Sequence, residues 1–77
     1  MNKTIKYLGV DVAKSRLDFD LPAPSQQIAN EPSVIHQVLD TLPADTHLIC
    51  ESTGGYEAAL ACAAHNIEMR ISILPPQ

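Results

Sequence analysis

Apolar and polar residues alternate along this chain at two spacings, period two and helical, and the changes between them mark out its elements. Residues 5–12 (IKYLGVDV) are apolar on both alternating sets, broken only by Gly9 and Asp11, which predicts a central strand covered on two faces. After a short turn at Lys14 and Ser15, Leu17, Phe19 and Leu21 alternate with Arg16, Asp18 and Asp20. That strict alternation predicts a half-exposed strand hairpinned onto the first and stopped by Pro22 and Pro24. Residues 26–29 make a weak third strand at an edge. Asn30, Glu31, Pro32 and Ser33 signal a helix start: Asx and Ser side chains accept from free amides, proline suits the first turn, and an acid suits the positive end of the dipole. Val34, Ile35, Val38, Leu39 and Leu42 then fall on one helical stripe until Pro43 forbids continuation. Residues 46–51 (THLICE) read as a short apolar strand ending in a carboxylate. Residues 56–66 read as an alanine-rich helix with Leu60 facing inward and Asn66 as terminator. Finally Ile67, Met69, Ile71 and Ile73 alternate with Glu68, Arg70 and Ser72, a last strand ended by Pro75-Pro76.

The resulting order is a hairpin-led meander followed by a βαβ unit. It is the order of the ribonuclease H fold as far as its fifth strand. The expected fold is therefore α/β, ribonuclease-H-like, with a mixed sheet in order 3-2-1-4-5. Right-handed crossovers would put both helices on one face and leave the other uncovered. With apolar residues on or near both faces of the first and last strands, that open face predicts self-association, so a homo-oligomer is expected.

Composition narrows the classes. The 77 residues suit one domain spanning positions 1–77, with little core to spare. No apolar run approaches the ~20 residues of a membrane span, and no signal-peptide pattern opens the chain, so a cytoplasmic location is expected. Five Lys plus Arg against nine Asp plus Glu give a net charge of −4, a field that repels phosphate. A nucleic acid would have to be held through bound metal or by other parts of a larger protein. Cys50 and Cys62 form none of the close pairs of a zinc or redox motif, and three aromatics with no Trp argue against a stacking platform for single strands.

The candidate chemistry lies in the acids. In the expected topology Asp11 and Glu51 stand at neighbouring ends of adjacent parallel strands, where they repel each other unless a cation lies between them. Magnesium, or manganese, takes one or two carboxylates together with water and a phosphate, and paired ions can clamp a phosphodiester in line. A carboxylate in an otherwise apolar strand is costly unless paired or metallated, which favours the ligand role for Asp11. Glu51 taken alone reads as the first polar residue after a strand. Asp18 and Asp20 read as a solvated strand face, and Glu57 and Glu68 as surface acids. Ser52, Thr53, Gly54 and Gly55 before a helix are candidate phosphate contacts through backbone amides, or else a plain helix cap. Cys62 and His65 share a helix face without a second ligand pair, and His36 and His47 have no evident partner.

The stretches Gly9-Val10-Asp11-Val12-Ala13-Lys14, Leu17-Asp18 and Glu51-Ser52-Thr53-Gly54-Gly55-Tyr56-Glu57 resemble the amino-terminal half of the DEDD transposases, the insertion-sequence family that includes the Piv DNA invertase. The likeness covers essentially the whole chain. It implies a RuvC-like domain of a bacterial DNA transposase or recombinase in which four acids bind divalent metal. Asp11 matches the first acid and Glu51 the second, which implies catalytic and metal-binding roles for both, a Mg2+ or Mn2+ cofactor and a DNA partner. Some members of the family also use a guide RNA. The family's K-T-D-x-x-D-A type segment is not found in these 77 residues, so the chain is expected to be a fragment truncated after strand five and inactive alone. Two other readings stand beside this one. An actin-like ATPase or sugar kinase opens with a similar G-x-D, although Ala13-Lys14 is a poor phosphate turn. A non-catalytic dimerisation module would keep the acids only as surface groups.

Overall fold

Period-two burial builds the sheet. The computed structural model describes residues 6–20 and 26–76. Strands β1 (Lys6–Val12), β2 (Arg16–Phe19) and β3 (Gln26–Ala29) are followed by helix α1 (Pro32–Thr41), strand β4 (Thr46–Glu51), helix α2 (Ala58–Asn66) and strand β5 (Arg70–Leu74). They form one mixed sheet in the expected order β3-β2-β1-β4-β5. The β1–β2 and β2–β3 pairs are antiparallel, and β4 lies parallel to both β1 and β5.

One face of this sheet makes the core. Leu8 and Val10 of β1, Leu17 and Phe19 of β2, and Leu48 and Cys50 of β4 pack with Ile35, Val38 and Leu39 of α1 and Leu60, Ala63 and Ala64 of α2. Both helices therefore cover the same face, and each lies against the other. Phe19, Leu17, Ile35, Leu39, Leu48 and Leu60 are the largest side chains sealed from solvent, each contributing about 1.5–3 kcal/mol by burial. The alanines of α2 let the two helices approach closely, which suits a domain with few large side chains to bury. No helix among the described residues is long and apolar enough to cross a membrane.

Several boundaries differ from the sequence expectation, each for a local reason. The odd positions of β1, Tyr7, Gly9 and Asp11, face away from the helices and lie outside the core; β1 is thus covered on one face only among the described residues. Helix α1 starts at Pro32 with no side-chain cap: Glu31 holds the N-cap position, and the Asn30 side chain is turned toward other segments. Its Nδ2 donates to the carbonyls of Ala13 (2.9 Å) and Tyr56 (3.0 Å), tying the β1–β2 turn to the segment before α2. Helix α2 begins at Ala58, not at Tyr56, because Tyr56 and Glu57 belong to a turn. Strand β5 begins at Arg70: Ile67 and Glu68 make the turn out of α2, with Glu68 at φ 57°, and Ala64 accepts from the amide of Met69. Ile5, Leu21, Pro22 and Pro24 lie outside the described residues.

Candidate functional site

Because β1 and β4 run parallel, their carboxyl ends lie together. Their pairing runs from Lys6–Thr46 to Gly9–Ile49, and Asp11 and Glu51 each lie two residues further along. Asp11 is in turn directly opposite Asp18 on β2, Asp18 is opposite Gln27 on β3, and Glu51 is opposite Leu74 on β5. One row across the helix-free face thus reads Gln27, Asp18, Asp11, Glu51, Leu74. At its middle lies an open concavity of about 410 Å³ lined by Gly9, Asp11, Asp18, Asp20, Ile49, Glu51 and Leu74, among others. Gly9 leaves its floor without a side chain beside Asp20, although a Cβ there would meet Asp20 only at ordinary contact distance, 3.8 Å.

Sequence reasoning paired Asp11 with Glu51 and set Asp18 and Asp20 aside as a solvated strand face. The structure brings Asp18 and Asp20 into the same concavity. The signal for Asp18 was present in the hairpin, since a tight turn at Lys14-Ser15 sets Asp11 against Asp18. Like charges directly opposed across two strands are destabilising. Part of that cost is offset at Asp18, whose Oδ1 accepts from Gln27 Nε2 at 2.7 Å. Asp11 and Glu51 are exposed, so their oxygens are open to a solvent-borne ligand. Among the described residues no three His, Cys, Asp or Glu side chains converge closely enough to form a metal-holding group.

The loop after Glu51 is held by its own residues. The amide of Ser52 donates to the Leu74 carbonyl at 2.8 Å, which fixes the start of the loop to β5. Gly54 (φ 81°) and Gly55 (φ 128°) take conformations that L side chains rarely adopt, and they reverse the chain. The reversal brings Glu57 back onto the loop. Its Oε1 accepts from the Thr53 hydroxyl (2.5 Å), the Thr53 amide (3.1 Å) and the Gly55 amide (3.2 Å). The Thr53 hydroxyl, then backbone amides including Glu57's own, hold this carboxyl down at about 2, against a small opposing effect of burial. Read from sequence as a surface acid, Glu57 instead fills the loop as an internal anion. An incoming phosphate at Ser52, Thr53, Gly54 and Gly55 therefore has to displace Glu57 to reach the amides of Thr53 and Gly55, and the Ser52 amide is already taken by Leu74.

The remaining candidates are dispersed. His47 gains a partner that the sequence did not reveal: its Nε2 lies 2.7 Å from Ser72 Oγ across β4 and β5, and its ring sits 5.2 Å from that of Tyr7. This cluster lies on the open face toward the amino end of β4, away from the acids. Cys62 and His65 are exposed on α2, where Asn66 Nδ2 lies 4.0 Å from the thiol sulfur. Cys50 is buried, and burial, with a smaller push from the Glu57 carboxylate, raises its thiol above the ordinary range. No protein-family profile matches the chain, and no curated protein matches it by sequence.

Proposed function

We propose that this chain is the metal-binding portion of a ribonuclease-H-like (RuvC-like) DNA transposase or recombinase, with Asp11 and Glu51 as its metal ligands. The observation that carries the reading is that these two exposed carboxylates end adjacent parallel strands and open into one concavity, on the face that no helix among the described residues covers. Hard oxygen donors without a Cys or His partner suit Mg2+ or Mn2+, which complete their shells with water and phosphate. A divalent ion bound there would supply charge neutralisation and polarisation of a phosphodiester oxygen.

The chain's own residues define what it contributes. Asp11 and Glu51 hold the cation, Asp18 and Asp20 add negative charge that favours cation binding, and Ile49 and Leu74 form an apolar wall at one side. The loop of residues 52–57 braces the Glu51 end of β4 against β5 and α2. A net charge of −4 leaves DNA to be attracted through the cation and through other surfaces of a larger assembly. Two carboxylate ligands, with the other positions left to water and phosphate, imply weak metal binding.

Titration with Mn2+ followed by water-proton relaxation tests the reading. Saturable binding is expected for the wild-type chain, weakened roughly tenfold or more in Asp11→Ala and Glu51→Ala, as truncation of a charged ligand implies. Equal binding by all three proteins would overturn it.

A further inference from the structure

We infer that β5 is a homodimerisation edge: two copies of this chain join β5 to β5 in antiparallel register, and each delivers its Arg70 to the acidic row of the other. This does not rest on the metal reading: it needs only the β5 edge, although the Arg70 it delivers adjoins Glu51 of the acidic row.

The edge is open and its bonding direction is set. Among the described residues β5 pairs with β4 alone and is the last strand of the sheet. The Leu74 carbonyl points toward β4, since it accepts from Ser52. Backbone groups alternate along a strand, so those of Arg70, Ser72 and Leu74 face β4, whereas the N–H and C=O groups of Ile71 and Ile73 face outward. Strand edges are usually blunted by Lys, Pro or a bulge. Here Pro75 and Pro76 lie past the end of the strand, and its five residues carry a single charge, on Arg70.

The five residues are self-complementary about Ser72. In a two-fold antiparallel pairing, Ile71 of one copy faces Ile73 of the other, so the outward backbone groups meet as hydrogen-bonded pairs. On the helix side this sets two β-branched side chains together and covers Ile73, which is 42% exposed. On the open side Arg70 of one copy faces Leu74 of the other. Leu74 is the register partner of Glu51, so the row Asp18, Asp11, Glu51, Leu74 continues into the guanidinium of the second copy. Two strand spacings of about 4.8 Å separate Glu51 from that position, within reach of an Arg and a Glu side chain extended toward each other across Leu74.

Charge selects this edge over the alternatives. Stacking two open faces would set one acidic concavity against another, at a cost in a chain of net charge −4. Edge pairing keeps the acids of the two copies apart and brings a cation to each. The opposite edge, β3, is Gln26-Gln27-Ile28-Ala29 and offers neither a charge nor a β-branched pair to match. A five-residue edge buries less than the roughly 1,200 Å² of a standard interface, so a weak, micromolar dimer is expected.

Sedimentation velocity in EDTA, across the micromolar range, tests this without involving metal. The wild-type chain should dimerise, and Ile73→Pro should weaken the dimer roughly tenfold or more, because it removes an outward N–H and spares the bonds to β4. Arg70→Glu, at an exposed position that leaves folding unaffected, should weaken it similarly, and the salt dependence seen for wild type should disappear. A wild-type monomer throughout the range overturns the inference. So does a dimer that withstands both substitutions, or one that only Tyr7→Ser disrupts, which would locate the contact on the open face. Circular dichroism of Ile73→Pro establishes that it is folded, and Arg70→Glu decides the question if it is not.

Discussion

Replacing Asp11 by Asn should change stability in opposite directions with and without a divalent cation. Asp11 stands directly across from Asp18, with Glu51 at the neighbouring end of β4. Directly opposed Cβ atoms are about 5 Å apart, and at that distance two unit charges in water repel by about 0.8 kcal/mol, roughly halved at physiological salt. Removing the Asp11 charge therefore stabilises the metal-free chain by about 0.4 kcal/mol, which in a domain of this size raises Tm by roughly 2–3 °C. The Gln27 bond to Asp18 is untouched by the change. A cation at ten times its Kd stabilises the wild-type chain by about 1.4 kcal/mol, or roughly 6–11 °C, and the Asp11→Asn protein should lose most of that gain. Thermal melts by circular dichroism, in EDTA and in MgCl2 at matched ionic strength, read both signs. If Asp11→Asn lowers Tm in EDTA, Asp11 has a favourable partner in the folded chain and the repulsion argument fails. If both proteins gain equally from Mg2+, Asp11 is not a ligand.

Two further predictions concern β4, α2 and the loop between them. Glu57 has its carboxyl held at about 2 against an ordinary 4.5, a depressed value, so its contribution to stability is complete above pH 4.5 and is lost as pH falls through about 2. An NMR titration should find Glu57 still ionised well below pH 4.5 and should find it returned toward 4.5 in Thr53→Val; no change in that variant would refute the hydroxyl as the main cause. The two thiols should separate under Ellman's reagent: Cys62 is exposed and reacts in the folded chain, while Cys50, buried and raised in pKa, reacts only as the chain unfolds. Equal rates for the two would show that the β4–α2 contact opens readily.

The sheet was legible in the sequence because its signals are periodic. Leu17 and Phe19, then Leu48 and Cys50, alternate with residues that stay outside the core, and the spacing of Ile35, Val38 and Leu39 predicts the inner face of α1. The element order alone was enough to place Asp11 near Glu51. Features that depend on a contact between distant turns were not legible. Asn30 has the residue type of a helix cap, yet its amide bonds Ala13 and Tyr56, which no local pattern announces. Glu57 lies only four residues from Thr53, but its return to the loop depends on positive φ at two successive glycines. Residues 67–68 continue the alternation of β5, and the turn overrides it because the chain must leave α2 before it can join the sheet.

The row of acids is held in position by side chains that pack on the opposite face of the sheet. In β1 the even positions Leu8 and Val10 enter the core and the odd positions Tyr7, Gly9 and Asp11 face away; in β4, Leu48 and Cys50 enter while Ile49 and Glu51 face away. A slip of one residue between β1 and its neighbours would exchange the two sets, exposing the core and burying the acids, so packing under the helices determines which residue stands beside Glu51. The acids themselves are free to change charge without changing that register. This separation of roles is why relieving their repulsion should stabilise the chain while removing most of its response to a cation, an outcome that a purely structural role for Asp11 would not produce.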